Sequence, residues 1–265
     1  MPDTRRAEVD LPASNFLMVP YSNRIEAGRF NFDGRAYQLA HGERHSIHGD
    51  VRGHPWHVAF SSETELRCTF RSTELEQINW PWPFDAEVTY TLIDNRVVSE
   101  MSLWNRGVSP MRPAFGWHPY FSRWLSRSGE AVLLEFSVQG VYPDANGNRI
   151  PSGPPQPLSA HQDFSKGRAL PADRFLDGCF AGYDGNGQIA WPESGVSVRF
   201  RCSPELGHLI LYNPDKPYFA VEPVTNANNG VNLFANGEPS SGVRVLAPDA
   251  ALTATFEMQI ETAPE

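Results

Sequence analysis

VSVRFRC, residues 196–202, sets Val196, Val198, Phe200 and Cys202 in alternation with Ser197, Arg199 and Arg201. A period of two is the mark of a strand with one face buried and the other wet. ATFEMQI, residues 254–260, repeats the pattern with Ala254, Phe256, Met258 and Ile260. EVTYTLI (87–93) and RVVSEMSLW (96–104) flank Asp94-Asn95, and together they read as a β-hairpin. AVLLEFSV (131–138) and HLILY (208–212) are further strand candidates. No window sustains an apolar stripe of helical period. Turn residues recur about every ten residues, as in an antiparallel sandwich or barrel. The stretch 142–159, YPDANGNRIPSGPPQPLS, carries five prolines between strand patterns and is expected to be a long surface loop. The expected fold is all-β, an antiparallel sandwich or barrel, with residues 1–265 forming one domain.

Bulk composition narrows the function classes. The chain holds 23 prolines and 21 glycines, which favours many turns and few long helices. Its formal net charge of −9 and the lack of a basic patch argue against a nucleic-acid partner. Cys68, Cys179 and Cys202 are odd in number and far apart, which fits neither a disulfide framework nor a zinc knuckle. There is no leader-like apolar run at the start and no stretch of membrane-spanning length, so no membrane association and a cytoplasmic location are expected.

Reactive side chains gather in a few places. RHSIHGD and the HPWH that follows hold His45, His48, His54 and His57. With His41 the spacing permits a metal site on a helix, but Gly42 and Gly49 make a helix doubtful, and no metal is expected. GWHPYF places His118 among Trp117, Tyr120 and Phe121. Imidazole titrates near neutrality, so this residue is either a packed core histidine or a proton donor in an aromatic cleft. Glu222 lies between FAV and PV. It is either a carboxylate at a wet strand end or a buried one with a raised pKa, suited to general-base work. The polar run after it, Thr225, Asn226, Asn228, Asn229 and Asn232, suggests hydrogen-bonding groups for sugar hydroxyls. Asp177 in FLDGCF reads locally as a turn residue, and Arg24 in VPYSNRI as a structural cation.

VPYSNRI, HGDVRGHPW, GWHPYF, FLDGCF and VEPVTNANNGVN occur in that order. The set resembles the aldose 1-epimerase (galactose mutarotase-like) family over residues 14–260, with HPYF and VEPVT the most specific pieces. The resemblance implies the family's large β-sandwich, sometimes called a supersandwich, and an anomerising enzyme acting on a free hexose such as glucose or galactose. It implies Glu222 as general base, His118 as general acid, and His48, Arg24 and Asp177 as substrate-binding residues, with no metal and no organic cofactor. The expected partner is a small-molecule sugar, and the expected state is a monomer or homodimer. Members usually carry further β-hairpins before the NRI stretch, so a shortened N-terminal sheet edge is expected.

Two other readings remain. A hexose-6-phosphate 1-epimerase shares the sandwich; such relatives often carry Thr where this chain has Pro119, and Arg52 is the candidate phosphate ligand. A catalytically silent sugar-binding module would keep the cleft but lose the acid or the base.

Overall fold

The computed structural model describes residues 15–126 and 128–263. The two alternating stretches that point to an all-β chain are hydrogen-bonded neighbours. Val196–Cys202 pairs with Ala251–Thr262, so that Val198 faces Ile260 and Phe200 faces Met258. They sit in the middle of a nine-stranded antiparallel sheet. Its order is Arg168–Ala169, Leu133–Phe136, Asn186–Trp191, Val196–Cys202, Ala251–Thr262, Arg96–Asn105, Phe84–Ile93, Glu65–Arg71 and His57–Ser61. The hairpin predicted around Asp94-Asn95 is present, with Ile93 opposite Arg96. The candidate strand at 131–138 is shorter than expected and spans Leu133–Phe136.

The second sheet has six strands, in the order Asn15–Met18, Gly116–Ser122, Tyr218–Val224, His208–Asn213, Leu176–Ala181 and Gly140–Val141. Its central strands read as near-continuous apolar runs, and almost every residue in them is buried. The reason is that both faces are covered. The inner face packs on the larger sheet: Phe121 meets Phe200 at 5.8 Å between ring centroids, and Trp117 meets Phe256 at the same distance. The outer face carries a smaller cluster of Met18, Tyr142, Cys179, Ala181, Ile210, Val224 and Ala227. The larger sheet keeps one wet side, which explains its cleaner alternation.

A two-stranded hairpin, Arg29–Phe32 with Arg35–Gln38, turns through Asp33 and Gly34, both at positive φ. Its Phe30 packs against Trp80 and Trp82. The sheet edge in question at the N-terminal side is formed by Asn15–Met18, paired to Gly116–Ser122. The stretch 142–159 is largely irregular, as its prolines demand. Among the described residues no helix is long and apolar enough to cross a membrane.

Candidate active site

The outer face of the six-stranded sheet brings the two strongest motifs together. Gly116–Ser122 and Tyr218–Val224 are antiparallel neighbours, bridged at Tyr120–Ala220 and at Gly116–Val224. That register sets His118 opposite Glu222. Pro119 and Pro223 lack the N–H that a central ladder uses, and the bridges are interrupted here, where His118 and Glu222 lie opposite each other. His118 Nε2 lies 3.0 Å from Glu222 Oε1. The residues are 3% and 2% exposed, so the pair is almost wholly out of water.

Burial sets the electrostatics of this pair. Removing a carboxylate from water disfavours its charge and raises its pKa, while removing an imidazolium lowers its pKa. Glu222 is pushed well above the carboxylate range by burial, further by Asp177, and is partly relieved by Arg24. His118 is pushed below the ordinary imidazole range by burial, and Arg52 adds to the effect. Both shifts favour neutral forms, so burial biases the pair towards a carboxylic acid against a neutral imidazole. At 3.0 Å the contact is short enough for one proton to pass between Nε2 and Oε1. Glu222 Oε2 is buried and has no hydrogen-bond partner among the described residues.

His48 reaches the pair from a loop. Its ring meets His118 edge-on at 5.0 Å, and Phe16 lies 5.4 Å from it. Phe16, opposite His118 on the edge strand, stacks on the His118 ring at 4.5 Å. The loop is placed by Gly49. A side chain there would meet the Val19 carbonyl oxygen at 2.1 Å, and φ is +67°. Only glycine allows this approach, which Asp50 N–H secures by donating to Val19 O at 2.8 Å. The His-Gly pair is thus a device for delivering an imidazole to the sheet.

Asp177 lies on the strand beside His208–Asn213, facing Tyr212. Arg149 Nε donates to its Oδ2 at 3.0 Å. Asp177 is therefore no simple turn residue; it is a strand carboxylate held by a loop guanidinium. Arg24 is half-buried, and its guanidinium is pulled below its ordinary pKa by burial, with Asp177 the leading opposing influence and Glu222 also acting. The five residues named from the sequence thus converge on one face, His118 and Glu222 in contact and the other three around them.

The polar run after Glu222 serves a different purpose from the one its composition suggests. Ser22 Oγ donates to Asn226 Oδ1 at 2.5 Å. Thr225 Oγ1 accepts from Phe115 N–H, and Asn229 N–H donates to Arg24 O at 2.6 Å. Asn232 Nδ2 donates to Arg29 O and Asn228 Nδ2 to Arg149 O. These amides lock the loops that carry Arg24 and Arg149. Buried polar groups take protein partners where strands end, and only Asn228 Oδ1 among them is left buried without one.

Arg149 escaped the sequence reading. The local signal was faint: an arginine at φ +67° inside the proline-rich loop. The remaining histidines are structural or exposed. His45 Nδ1 accepts from Ala27 N–H, His54 lies beside Asp50, and His41 and His57 are exposed.

His48, His118 and Glu222 have nitrogen and oxygen atoms within 4.8 Å of one another, a set with the composition of a metal site. Arg24 and Arg52 both disfavour positive charge at His48, which opposes a dication there.

The sequence profile of the aldose 1-epimerase family matches residues 3–259. The uncharacterised protein YphB of Escherichia coli (strain K12) is 23% identical over 97% of this chain and 87% of its own length. The uncharacterised protein YihR of the same organism is 25% identical over 88% and 78%. Among solved structures, a galactose mutarotase-like protein from Clostridium acetobutylicum superposes with a TM-score of 0.81 at 19% identity, covering 94% of this chain and 79% of that one. The GalM/aldose epimerase homologue from C. elegans gives 0.77 at 18% identity, covering 94% and 82%. At these identities the structural likeness speaks for the fold.

Proposed function

The chain belongs to the aldose 1-epimerase family, and from that premise we propose that it interconverts the α and β anomers of a free hexose such as glucose or galactose. The observation that supports this reading is the buried contact between His118 and Glu222. Anomerisation needs a base at the C1 hydroxyl and an acid at the ring oxygen. Both oxygens are bonded to one carbon, so the two catalytic groups must lie close together.

Glu222 takes the proton from the C1 hydroxyl as the C1–O5 bond breaks, and His118 gives a proton to O5. The product is the open-chain aldehyde. Rotation about C1–C2 turns the carbonyl over. On closure O5 attacks C1, His118 takes back its proton, and Glu222 returns one to the new C1 oxygen. The active form, carboxylate with imidazolium, differs from the resting neutral pair only by the position of one proton across 3.0 Å. A single shared proton is sufficient for the cycle. Acid–base catalysis of this kind contributes about 10²–10⁴-fold per group. Arg24, Asp177 and His48 hold the sugar hydroxyls, with Arg149 fixing Asp177.

The test is anomer equilibration of freshly dissolved α-glucose and α-galactose, followed by NMR or polarimetry. Enzyme-dependent acceleration that vanishes in Glu222→Gln is expected. Equilibration at the uncatalysed rate for every sugar offered overturns the proposal.

Arg52 favours a second reading, a sugar bearing an anionic group such as a hexose 6-phosphate. Its guanidinium carbon is 5.1 Å from the Phe16 ring centroid, it is exposed, and it has no carboxylate partner among the described residues. A strong preference for glucose 6-phosphate over glucose, lost in Arg52→Ala, would replace the first reading with this one.

A further inference from the structure

The loop that delivers His48 is held from outside the motif that carries it. Its backbone is left-handed at His45, Ser46, His48 and Gly49, with φ of 59°, 41°, 70° and 67°. Three of these residues carry a Cβ and disfavour that region, so surrounding contacts must fix the loop. Both of its ends meet at Asn79. Before His48, Ser46 Oγ donates to Ala40 O at 2.6 Å, and Asn79 Oδ1 accepts from Ala40 N–H at 2.8 Å. After His48, Asn79 N–H donates to Asp50 Oδ2 at 2.7 Å. The same carboxylate oxygen lies 3.4 Å from His54 Nε2. Asn79 Nδ2 donates to Tyr21 OH at 3.1 Å, which adds the stretch that leads to Arg24. Asn79 has a firm base. Its neighbour Trp80 is buried and packs on Tyr21 and Phe30, each 5.6 Å away between ring centroids.

We propose that Asn79 and Asp50 are positioning residues, a two-part brace that holds the His48 imidazole edge-on to His118. The effect on turnover rests on the anomerase reading above; the effect on the imidazole does not. A loop tied at one end swings, and a loop clasped at both ends by one side chain does not. Asn79 is that clasp, since it bonds Ala40 on one side of His48 and Asp50 on the other. Its amide is suited to the place. Ala40 N–H needs an acceptor, which fixes Oδ1 there and turns Nδ2 towards the Tyr21 hydroxyl. Only a primary amide offers both an acceptor and a donor on one planar group. Asp50 has the simpler task of accepting from Asn79 N–H, so an amide oxygen at position 50 serves equally well for the brace.

The experiment follows anomer equilibration of glucose and galactose by wild type, Asn79→Ala, Asp50→Ala and Asp50→Asn, with Asn79→Ala and Asp50→Ala each made also in a His48→Asn background. Asn79→Ala and Asp50→Ala are each expected to lower kcat/KM on the order of tenfold to a hundredfold, mostly through KM. Asp50→Asn is expected to recover most of that loss. Without His48, each alanine substitution is expected to cost less than about twofold more. Equal losses with and without His48, or near-normal kinetics in both alanine variants, overturn the brace. Asp50→Ala keeps the test open where Asn79→Ala does not fold. A second readout needs no sugar: the ring resonances of His48 by NMR, and hydrogen exchange of the Asp50 N–H, which donates to Val19 O at 2.8 Å. In both alanine variants the His48 resonances are expected to broaden and the Asp50 amide to exchange roughly tenfold faster. If no sugar is turned over, the anomerase reading fails and the NMR readout decides the brace by itself. Unaltered His48 resonances and unaltered exchange overturn it.

Discussion

His118 Nε2 and Glu222 Oε1 are in hydrogen-bonding contact within a shell that excludes water, and burial shifts their proton affinities in opposite directions. Such a pair titrates as a unit. Its first deprotonation falls below the ordinary imidazole value of about 6.5, and its second lies above the ordinary carboxylate value of about 4.3. The one-proton form therefore persists below the ordinary imidazole range before the pair takes up its second proton. The expected pH profile of kcat/KM is a broad plateau that continues below pH 6.5 before it falls on the acid side. A measured acid limb centred at 6.5 would mean a solvated imidazole, and would contradict the sealed geometry.

In the proposed cycle, removing either member interrupts proton transfer at a different oxygen. Glu222→Gln keeps shape and hydrogen bonding but cannot accept the C1 proton, and His118→Asn cannot protonate O5. Each is expected to lower kcat by about 10²–10⁴-fold, with sugar binding by Glu222→Gln still detectable by calorimetry. A near-normal rate in His118→Asn would transfer the acid role, and His48, edge-on at 5.0 Å, is the nearest candidate.

Arg149 acts through Asp177. Cutting the guanidinium away leaves a largely buried carboxylate without its cation and frees the loop that Asn228 ties to the Arg149 carbonyl. Arg149→Met is expected to lower kcat/KM by on the order of 10²-fold, as misplaced binding groups do, with the larger change in KM. A purely structural role would instead lower the melting temperature and leave KM where it was.

The strands were legible because a one-sided sheet writes its period into the sequence, as Val196–Cys202 and Ala251–Thr262 do. His118 and Glu222 were ambiguous alone: HLILY and YFAV are apolar on both faces, and periodicity cannot tell a core carboxylate from a site one. Order and company of the motifs grouped them, and the structure brings them into contact. Arg149 was not legible, since nothing local links residue 149 to residue 177. The asparagine run was misread for a related cause. Side chains that tie loops have the same composition as side chains that bind sugars, and only partners distinguish them.

Gly49 is a sharp test of how the imidazole of His48 is delivered. Alanine there brings a Cβ to 2.1 Å from Val19 O, a backbone atom just beyond the strand Asn15–Met18. It also suffers the penalty of a positive φ, about 1 kcal/mol before the clash is counted. Gly49→Ala is expected to displace the His48 loop. Activity should fall more than in Gly34→Ala, at a hairpin turn with similar φ but open space around it. Equal effects of the two substitutions would show that backbone strain alone matters and that the Val19 contact does not.

Acid stability follows from the histidines that burial keeps neutral. His208, whose ring Nε2 bonds Ser240 O at 2.8 Å, is lowered by burial to about 4. The unfolded chain protonates this histidine near pH 6.5. Its contribution is thus intact above pH 6.5 and is lost as pH falls towards 4, in all roughly 3 kcal/mol. His48 and His118, both lowered, act in the same direction. Glu222 opposes them above its ordinary pKa, because its raised value makes the folded state hold a proton that the unfolded state has released. Glu222 offsets part of this effect. Denaturant midpoints at pH 7, 5.5 and 4.5 are expected to decline for wild type and to decline less steeply for His208→Gln. Parallel declines in the two proteins would place the acid sensitivity elsewhere.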